Sequence, residues 1–129
     1  MIIRTLRQSP DSSTLETHID IAETWEGRFA VLAVRDAVDM LSAPQLSDAI
    51  SAALAKAPVG LVVDLTEVDF LASVGMSVLV EAQEQASASS MRFGVVADGA
   101  ATSRPMKLLG IDAVLAIYPT VDAALDDMA

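Results

Sequence analysis

The stretch Leu61-Val-Val-Asp-Leu-Thr-Glu-Val-Asp-Phe-Leu-Ala-Ser-Val-Gly-Met76 decides the fold. Its opening apolar run is typical of a strand that is covered on both faces of a sheet. A short acidic turn follows, and the next helix is predicted to begin at Ser73. A strand that leads through a turn into a helix favours an α/β fold. Because a hydroxyl at that point would be exposed at a helix end, the functional interpretation depends on Ser73.

The composition narrows the possible functions. The chain has 129 residues, which fit one domain with a core of its own. Eighteen acidic residues against eight basic ones give a net charge of −10. Such a surface repels phosphate backbones and anionic lipids, so we expect neither nucleic acid nor membrane as a partner. With no cysteine, the chain has no disulfide, thiolate metal site or cysteine nucleophile.

The N-terminal region predicts no targeting segment. The first ten residues are too interrupted by polar side chains for a signal peptide. No segment approaches the roughly 18 uncharged apolar residues of a membrane helix. We therefore expect a cytoplasmic protein, with residues 1–14 as a leader that need not be ordered and residues 15–129 as the domain.

Strands and helices alternate along the domain. Residues 15–23 and 29–34 predict a hairpin that turns at Gly27. Ser42 is predicted to cap a helix that runs to Lys56, with Pro44 in its first turn. Further strands are predicted at 60–64, 91–97 and 114–118, and further helices at 73–88, 102–109 and 120–127, the last capped by Thr120. This order predicts a single α/β domain with a mixed, mostly parallel sheet of about five strands and about four helices.

The common catalytic and cofactor motifs are missing from the sequence. It contains no phosphate-binding Gly-x-x-x-x-Gly-Lys loop, no Gly-x-Gly-x-x-Gly after a strand, and no Gly-x-Ser-x-Gly elbow. The single histidine, His18, is predicted on the exposed face of an early strand. Asp64, Glu67 and Asp69 could hold a hard cation or accept a phosphate, but a solvated turn is the favoured interpretation. The sequence therefore predicts neither a cofactor nor a metal.

Ser73 has two interpretations that do not exclude each other. As an N-cap its oxygen would accept a backbone N–H of the first helical turn, which stabilises a helix by about 1 kcal/mol. A helix N-terminus is also favourable for negative charge. A phosphate on Ser73 would add about −1.5 to −2 charges without melting the helix, and a docked partner would respond to the change.

The residues around Ser73 resemble the signature of the bacterial STAS-domain anti-sigma factor antagonists. That signature runs Asp-Leu-Ser, two or three residues, then Phe-hydrophobic-Asp-Ser-Ser/Thr-Gly-Leu-Gly. The stretch 64–76 is similar to it, and the stretch 36–46, Asp-Ala-Val-Asp-Met-Leu-Ser-Ala-Pro-Gln-Leu, resembles the upstream Gly-Glu-Leu-Asp motif and the helix after it. The order of elements agrees from about residue 15 to the end, which implies a STAS-like fold.

The resemblance implies a mechanism, a partner, and a domain that is not an enzyme, because the partner kinase supplies the ATP. In the family, a serine at the position of Ser73 is phosphorylated by a GHKL-type kinase that is also the anti-sigma factor. The unphosphorylated antagonist binds that partner and releases the sigma factor, and phosphorylation breaks the complex; a phosphatase is a further possible partner. Partner-binding residues are then expected around Ser73, namely Asp39, Asp69, Ala72, Val74, Gly75 and Met76.

The chain departs from the family pattern at several of these positions. Ala72 replaces the Asp before the serine, and Val74 replaces the second hydroxyl residue. Asp36-Ala37 stands for the upstream Gly-Glu. Two alternatives to the phosphorylation switch therefore stay open. One is a STAS scaffold that is never phosphorylated. The other is a small-molecule or nucleotide sensor that uses the loop 98–105 with Arg104 and Lys107.

Overall fold

The structure, a computed structural model, describes residues 19–129 and shows an α/β domain with a five-stranded mixed sheet. This confirms the predicted fold class. The strands are β1 (Asp20–Glu26), β2 (Phe29–Val38), β3 (Gly60–Leu71), β4 (Arg92–Val96) and β5 (Ile117–Tyr118). The α-helices are α1 (Ala43–Leu54), α2 (Ser73–Ala88), α3 (Ser103–Leu108) and α4 (Val121–Met128). The predicted leader 1–14, the start of the first predicted strand and His18 lie outside the described residues.

The sheet places β3 at its centre, in the order β1-β2-β3-β4-β5. β1 and β2 form the predicted antiparallel hairpin, whose turn uses a positive φ of 63° at Gly27. The other neighbours are parallel. Leu61, Val62 and Val63 are fully buried, as expected for a strand with helices on both faces.

Two apolar clusters form the core, one on each face of the sheet. On one face α1, α2 and α3 contribute Leu46, Ile50, Leu79 and Met106. On the other face, among the described elements, α4 packs Ala124 and Met128 against the sheet. This arrangement holds α2 firmly in place by its buried side.

β2 and β3 are longer than predicted, and this changes the place of the acidic residues. The two strands pair in parallel until Val38 meets Leu71, through two register shifts. Bulges of this kind let a strand continue while polar residues turn outwards. Asp64, Glu67 and Asp69 therefore lie on β3, and their interpretation as a solvated turn between strand and helix was wrong.

The last strand is shorter than the predicted 114–118. Gly110 takes a positive φ of 75°, and a short 3₁₀ helix follows at Ile111–Ala113. Val114 is left exposed, and only Ile117–Tyr118 pairs with β4. The apolar run around Leu115 is visible in the sequence. In the structure the Leu115 side chain is buried in the core, but this part of the run does not extend the strand.

The two predicted side-chain caps had different outcomes. Thr120 caps α4 as predicted, because its Oγ1 accepts a hydrogen bond from the Ala123 N–H at 3.0 Å. Ser42 occupies the N-cap position of α1, but its hydroxyl donates to the Ala37 carbonyl at 2.9 Å and makes no cap bond. The predicted cap by the Ser42 side chain was therefore wrong.

Asp36 has the left-handed backbone that usually favours glycine, with φ 79°. It lies at a register shift between β2 and β3, where the family motif has Gly. Aspartate tolerates this conformation better than most residues, whereas a β-branched side chain does not. We expect Asp36→Val to lower the free energy of unfolding by about 1 to 2 kcal/mol in urea titrations. Asp36→Gly is the matched control, and equal losses in both variants would contradict the backbone explanation.

Candidate functional site

The turn from β3 into α2 is tied to the end of β2. The Ala72 N–H donates to the Val38 carbonyl at 2.8 Å. Ala72 is the N-cap residue of α2, with an extended backbone, and its carbonyl accepts the N–H groups of Gly75 and Met76 at 2.9 and 3.1 Å. Backbone contacts alone therefore place the first turn of α2 beside the loop that follows β2.

Ser73 is the first residue of α2, one position after the observed N-cap residue Ala72. The prediction that Ser73 caps the helix was wrong, and α2 has no side-chain cap. The Ser73 side chain is exposed, and its hydroxyl has no hydrogen-bond partner among residues 19–129. Within these residues the hydroxyl therefore stabilises no part of the fold, and it lies at the positive end of a 16-residue helix.

Asp39 holds the loop between β2 and α1 in a tight turn. Its Oδ1 accepts the N–H groups of Leu41 and Ser42, both at 3.0 Å, and lies 3.1 Å from the Ser42 hydroxyl, for which it is the second acceptor beside the Ala37 carbonyl. The hydrogen bond from the Ser42 N–H is the largest cause that lowers the pKa of the Asp39 carboxyl below its ordinary value of 3.8. Because Asp39 follows Val38, this turn lies next to Ser73, but its carboxylate is engaged within the chain.

The lowered pKa of Asp39 predicts a pH dependence of stability. A depressed pKa contributes stability above the ordinary value of 3.8, and this is lost as the pH falls through the lower folded value. Asp39→Asn should therefore be less stable than the unchanged protein at pH 7, and the gap should close in acid below 3.8. Urea titrations at both pH values measure the gap, and a gap that does not change with pH would contradict the assignment.

Four large apolar side chains are exposed at the same end of the sheet as Ser73. Met40 and Leu41 extend from the Asp39 turn with 77% and 69% of their surfaces exposed. Phe70 on β3 is 53% exposed and Val74 on α2 is 39% exposed. We call Ser73 and these four residues the Ser73 surface. Sequence reasoning missed three of the four, namely Met40, Leu41 and Phe70. The available signal was that Met40 and Leu41 are apolar residues that precede the helical pattern of α1.

The remaining predicted partner-binding residues differ in accessibility. Asp69 is exposed near the end of β3, and Ala72 is half-buried. Gly75 and Met76 are buried, so they do not belong to the exposed surface. A Cβ on Gly75 would lie 2.7 Å from a Val38 methyl group and 2.9 Å from a Leu71 methyl group. Gly75 therefore lets α2 pack closely on the sheet.

A groove leads away from Ser73 along α2. Its apolar lining comes from Met76 and Val80 on the helix and from Leu109 and Ile111 on the opposite wall. Its polar lining comes from α2 alone: Ser73, Ser77, Glu81 and Glu84. The groove is open and has a volume of about 370 Å³. We call it the α2 groove.

The candidate cation site on β3 and the candidate ligand loop 98–105 can be compared with the described side chains. Within residues 19–129 no three metal-binding side chains come together. Asp64 bonds to Thr66, and Glu67 pairs with Arg35 at 3.4 Å. Arg104 and Lys107 line the same concavity, together with Asp98, Gly99, Ser103 and Leu108. None of the helices in 19–129 is long and apolar enough to cross a bilayer.

Comparison with known proteins identifies the family. The model of the Mlab, STAS domain family matches residues 21–117. The chain belongs to the STAS domain family. A curated STAS relative is the anti-sigma-F factor antagonist RsfB of Mycobacterium tuberculosis, 37% identical over 117 residues, which are 91% of this chain and 90% of RsfB.

Solved STAS structures agree with the fold. An anti-sigma factor antagonist from Mycobacterium paratuberculosis has 40% identity and a TM-score of 0.81, over 85% of this chain and 93% of that protein. The unphosphorylated antagonist SpoIIAA has 15% identity and a TM-score of 0.70, over 84% of this chain and 95% of its own, and it supports the fold alone. The expected STAS-like fold is confirmed, and the closely related STAS proteins are named as antagonists of anti-sigma factors.

Proposed function

We propose that this protein is a cytoplasmic anti-sigma factor antagonist that binds an anti-sigma factor with GHKL-type serine kinase activity and is released when Ser73 is phosphorylated. Relatives at 37% and 40% identity are named as such antagonists. The observation that carries the proposal is the exposed hydroxyl of Ser73, which has no hydrogen-bond partner within residues 19–129 and lies at the same end of the sheet as four exposed apolar side chains. In this role the domain binds and is modified, and the partner supplies ATP and catalysis.

The geometry suits a switch that acts on docking and not on folding. The N-terminus of α2 favours negative charge, so a phosphate on Ser73 would not destabilise the helix. The same phosphate would place about −1.5 to −2 charges at the end of the sheet where Met40, Leu41, Phe70 and Val74 are exposed. An apolar partner surface would then have to desolvate that charge, which is costly.

Kinase recognition in this chain would depend on features other than the family aspartate. Ala72 offers no side-chain charge, and its N–H is already bonded to Val38. Because Val74 has no hydroxyl, Ser73 carries the hydroxyl that would accept the phosphate at the first turn of α2. A kinase would therefore recognise the shape and the exposed apolar side chains of the Ser73 surface, beside the loop that Asp39 holds in a tight turn.

Phosphate mapping tests the proposal directly. The native partner is captured on the unmodified protein, purified and incubated with it and ATP, and the modified residue is located by mass spectrometry. We expect phosphate on Ser73 and its loss in Ser73→Ala. Ser77→Ala is the matched control, because this hydroxyl lies one turn further on and donates to the Ser73 carbonyl at 3.2 Å.

Two results would contradict the proposal. Phosphate found only at another residue would remove Ser73 from the switch. A protein that binds its partner equally well as Ser73→Ala and Ser73→Glu, and takes up no phosphate, would instead be a constitutive STAS scaffold.

A further inference from the structure

The α2 groove continues the Ser73 surface along the helix. Ser73, Ser77, Glu81 and Glu84 recur at helical spacing, so they share one stripe of α2. From Ser73 to Glu84 this stripe is about 16 Å long, or about three turns. A groove of that length matches one short helix of a partner protein.

The segment that supplies the wall opposite α2 carries several exposed apolar side chains, of which only Leu109 lines the groove itself. Leu108, Leu109 and Val114 are 79%, 63% and 56% exposed. Ile111 is half-buried between them and reaches the groove together with Leu109. Exposed apolar residues that are grouped on one segment indicate a contact surface more strongly than scattered ones.

The far end of the groove is acidic and uncompensated. Glu81 and Glu84 are exposed, and within residues 19–129 neither forms an ion pair. The cations of α3, Arg104 and Lys107, line the separate concavity beyond Leu108 and not this groove. An occupant with basic residues at this end would gain favourable electrostatics in the field of a protein of net charge −10.

We propose that the α2 groove receives an amphipathic helix of the anti-sigma factor, with its apolar face on Val80, Leu109 and Ile111 and with Arg or Lys side chains opposite Glu81 and Glu84. This inference rests on the proposed function and deepens it by naming the contact surface and the chemistry of the partner.

The two ends of the groove then have different tasks. Ser73 lies about 12 to 16 Å along the helix from Glu81 and Glu84, which exceeds the Debye length of about 8 Å at physiological salt. A phosphate on Ser73 therefore acts on the apolar contacts at its own end, and the basic residues of the partner do not neutralise it. The acidic end steers association, while the Ser73 end controls release.

Charge reversal at the acidic end tests the inference. The probe is the purified anti-sigma-F factor of Mycobacterium tuberculosis, and association rates and Kd are measured at about 0.05 M and about 0.3 M salt. At low salt we expect Glu81→Lys with Glu84→Lys to slow association and raise Kd by about tenfold or more. Higher salt should weaken the unchanged complex and reduce this difference.

The matched control reverses two exposed acids elsewhere, Glu26→Lys at the hairpin and Asp126→Lys on α4, so the net charge changes equally. Its Kd should stay within about threefold of the unchanged protein. Glu81→Gln with Glu84→Gln keeps the side-chain shape and should give an intermediate loss. Circular dichroism and thermal melting confirm that every variant is folded.

The outcomes separate this inference from the proposed function. If the unchanged protein binds but the Glu81 and Glu84 reversal behaves like its control, or binds more tightly, the groove is not the docking site and the proposed function stands. If the unchanged protein binds neither this probe nor the native partner captured for the phosphate mapping, both proposals fail together. Loss of binding confined to the groove reversal supports the inference.

Discussion

Ser73→Glu should weaken the complex with the anti-sigma factor by at least about 30-fold, while the domain keeps its stability. A buried and unpaired charge in an interface costs about 2 to 5 kcal/mol, which corresponds to this factor or more. In the free protein the same carboxylate lies at the N-terminus of α2, where the helix dipole favours it. Calorimetric titration gives the affinity, and urea unfolding gives the stability.

Two further variants make the Ser73→Glu result interpretable. Ser73→Ala should bind like the unchanged protein, because the hydroxyl has no hydrogen-bond partner in residues 19–129 to lose. Ser87→Glu makes the same chemical change at an exposed position near the other end of α2 and should leave the affinity nearly unchanged. A Ser73→Glu variant that binds at full strength would contradict the switch, and equal losses at positions 73 and 87 would point to a general effect of charge.

Gly75→Val should have the largest effect on stability, lowering the free energy of unfolding by about 2 to 3 kcal/mol. The first added carbon alone would lie 2.7 Å from the Cγ1 of Val38 and 2.9 Å from the Cδ1 of Leu71. Val38 is β-branched and fully buried, so it has little freedom to move aside. The strain is relieved only if α2 shifts away from the sheet, and the melting temperature should fall by about 10 °C.

The same shift should also disturb the site. It strains the bond from the Ala72 N–H to the Val38 carbonyl, which positions Ser73 beside the Asp39 turn. We therefore expect slower phosphorylation of Ser73 in Gly75→Val, even at temperatures where the variant is folded. Ser77→Val is the control, since it adds a β-branched residue to an exposed position of the same helix. Equal stability of these two variants would show that the close packing at Gly75 is unimportant.

The elements that the sequence predicted well are those with strong periodic or capping signals. The helix over 73–88 agrees with α2 to the residue, and the Thr120 cap and the Gly27 hairpin are as expected. The weaker predictions concerned ends of strands. Glu67 and Asp69 carry no local strand signal, since acidic residues are depleted in strands, and pairing with β2 through two register shifts keeps this part of β3 extended.

The sequence by itself determined the class of fold, the acidic surface, the resemblance around Ser73 and the position of the central strand. These depend on composition, periodicity and short motifs, which are local properties. Only the tertiary structure decided that Ser73 is not a cap, that its hydroxyl has no partner in the described part of the chain, and that Gly75 and Met76 are buried. It also decided that Met40, Leu41 and Phe70 are exposed at the same end of the sheet. Exposure and proximity depend on which distant segments pack together, and here the pairing of Val38 with Leu71 and Ala72 brings the parts of the site into place.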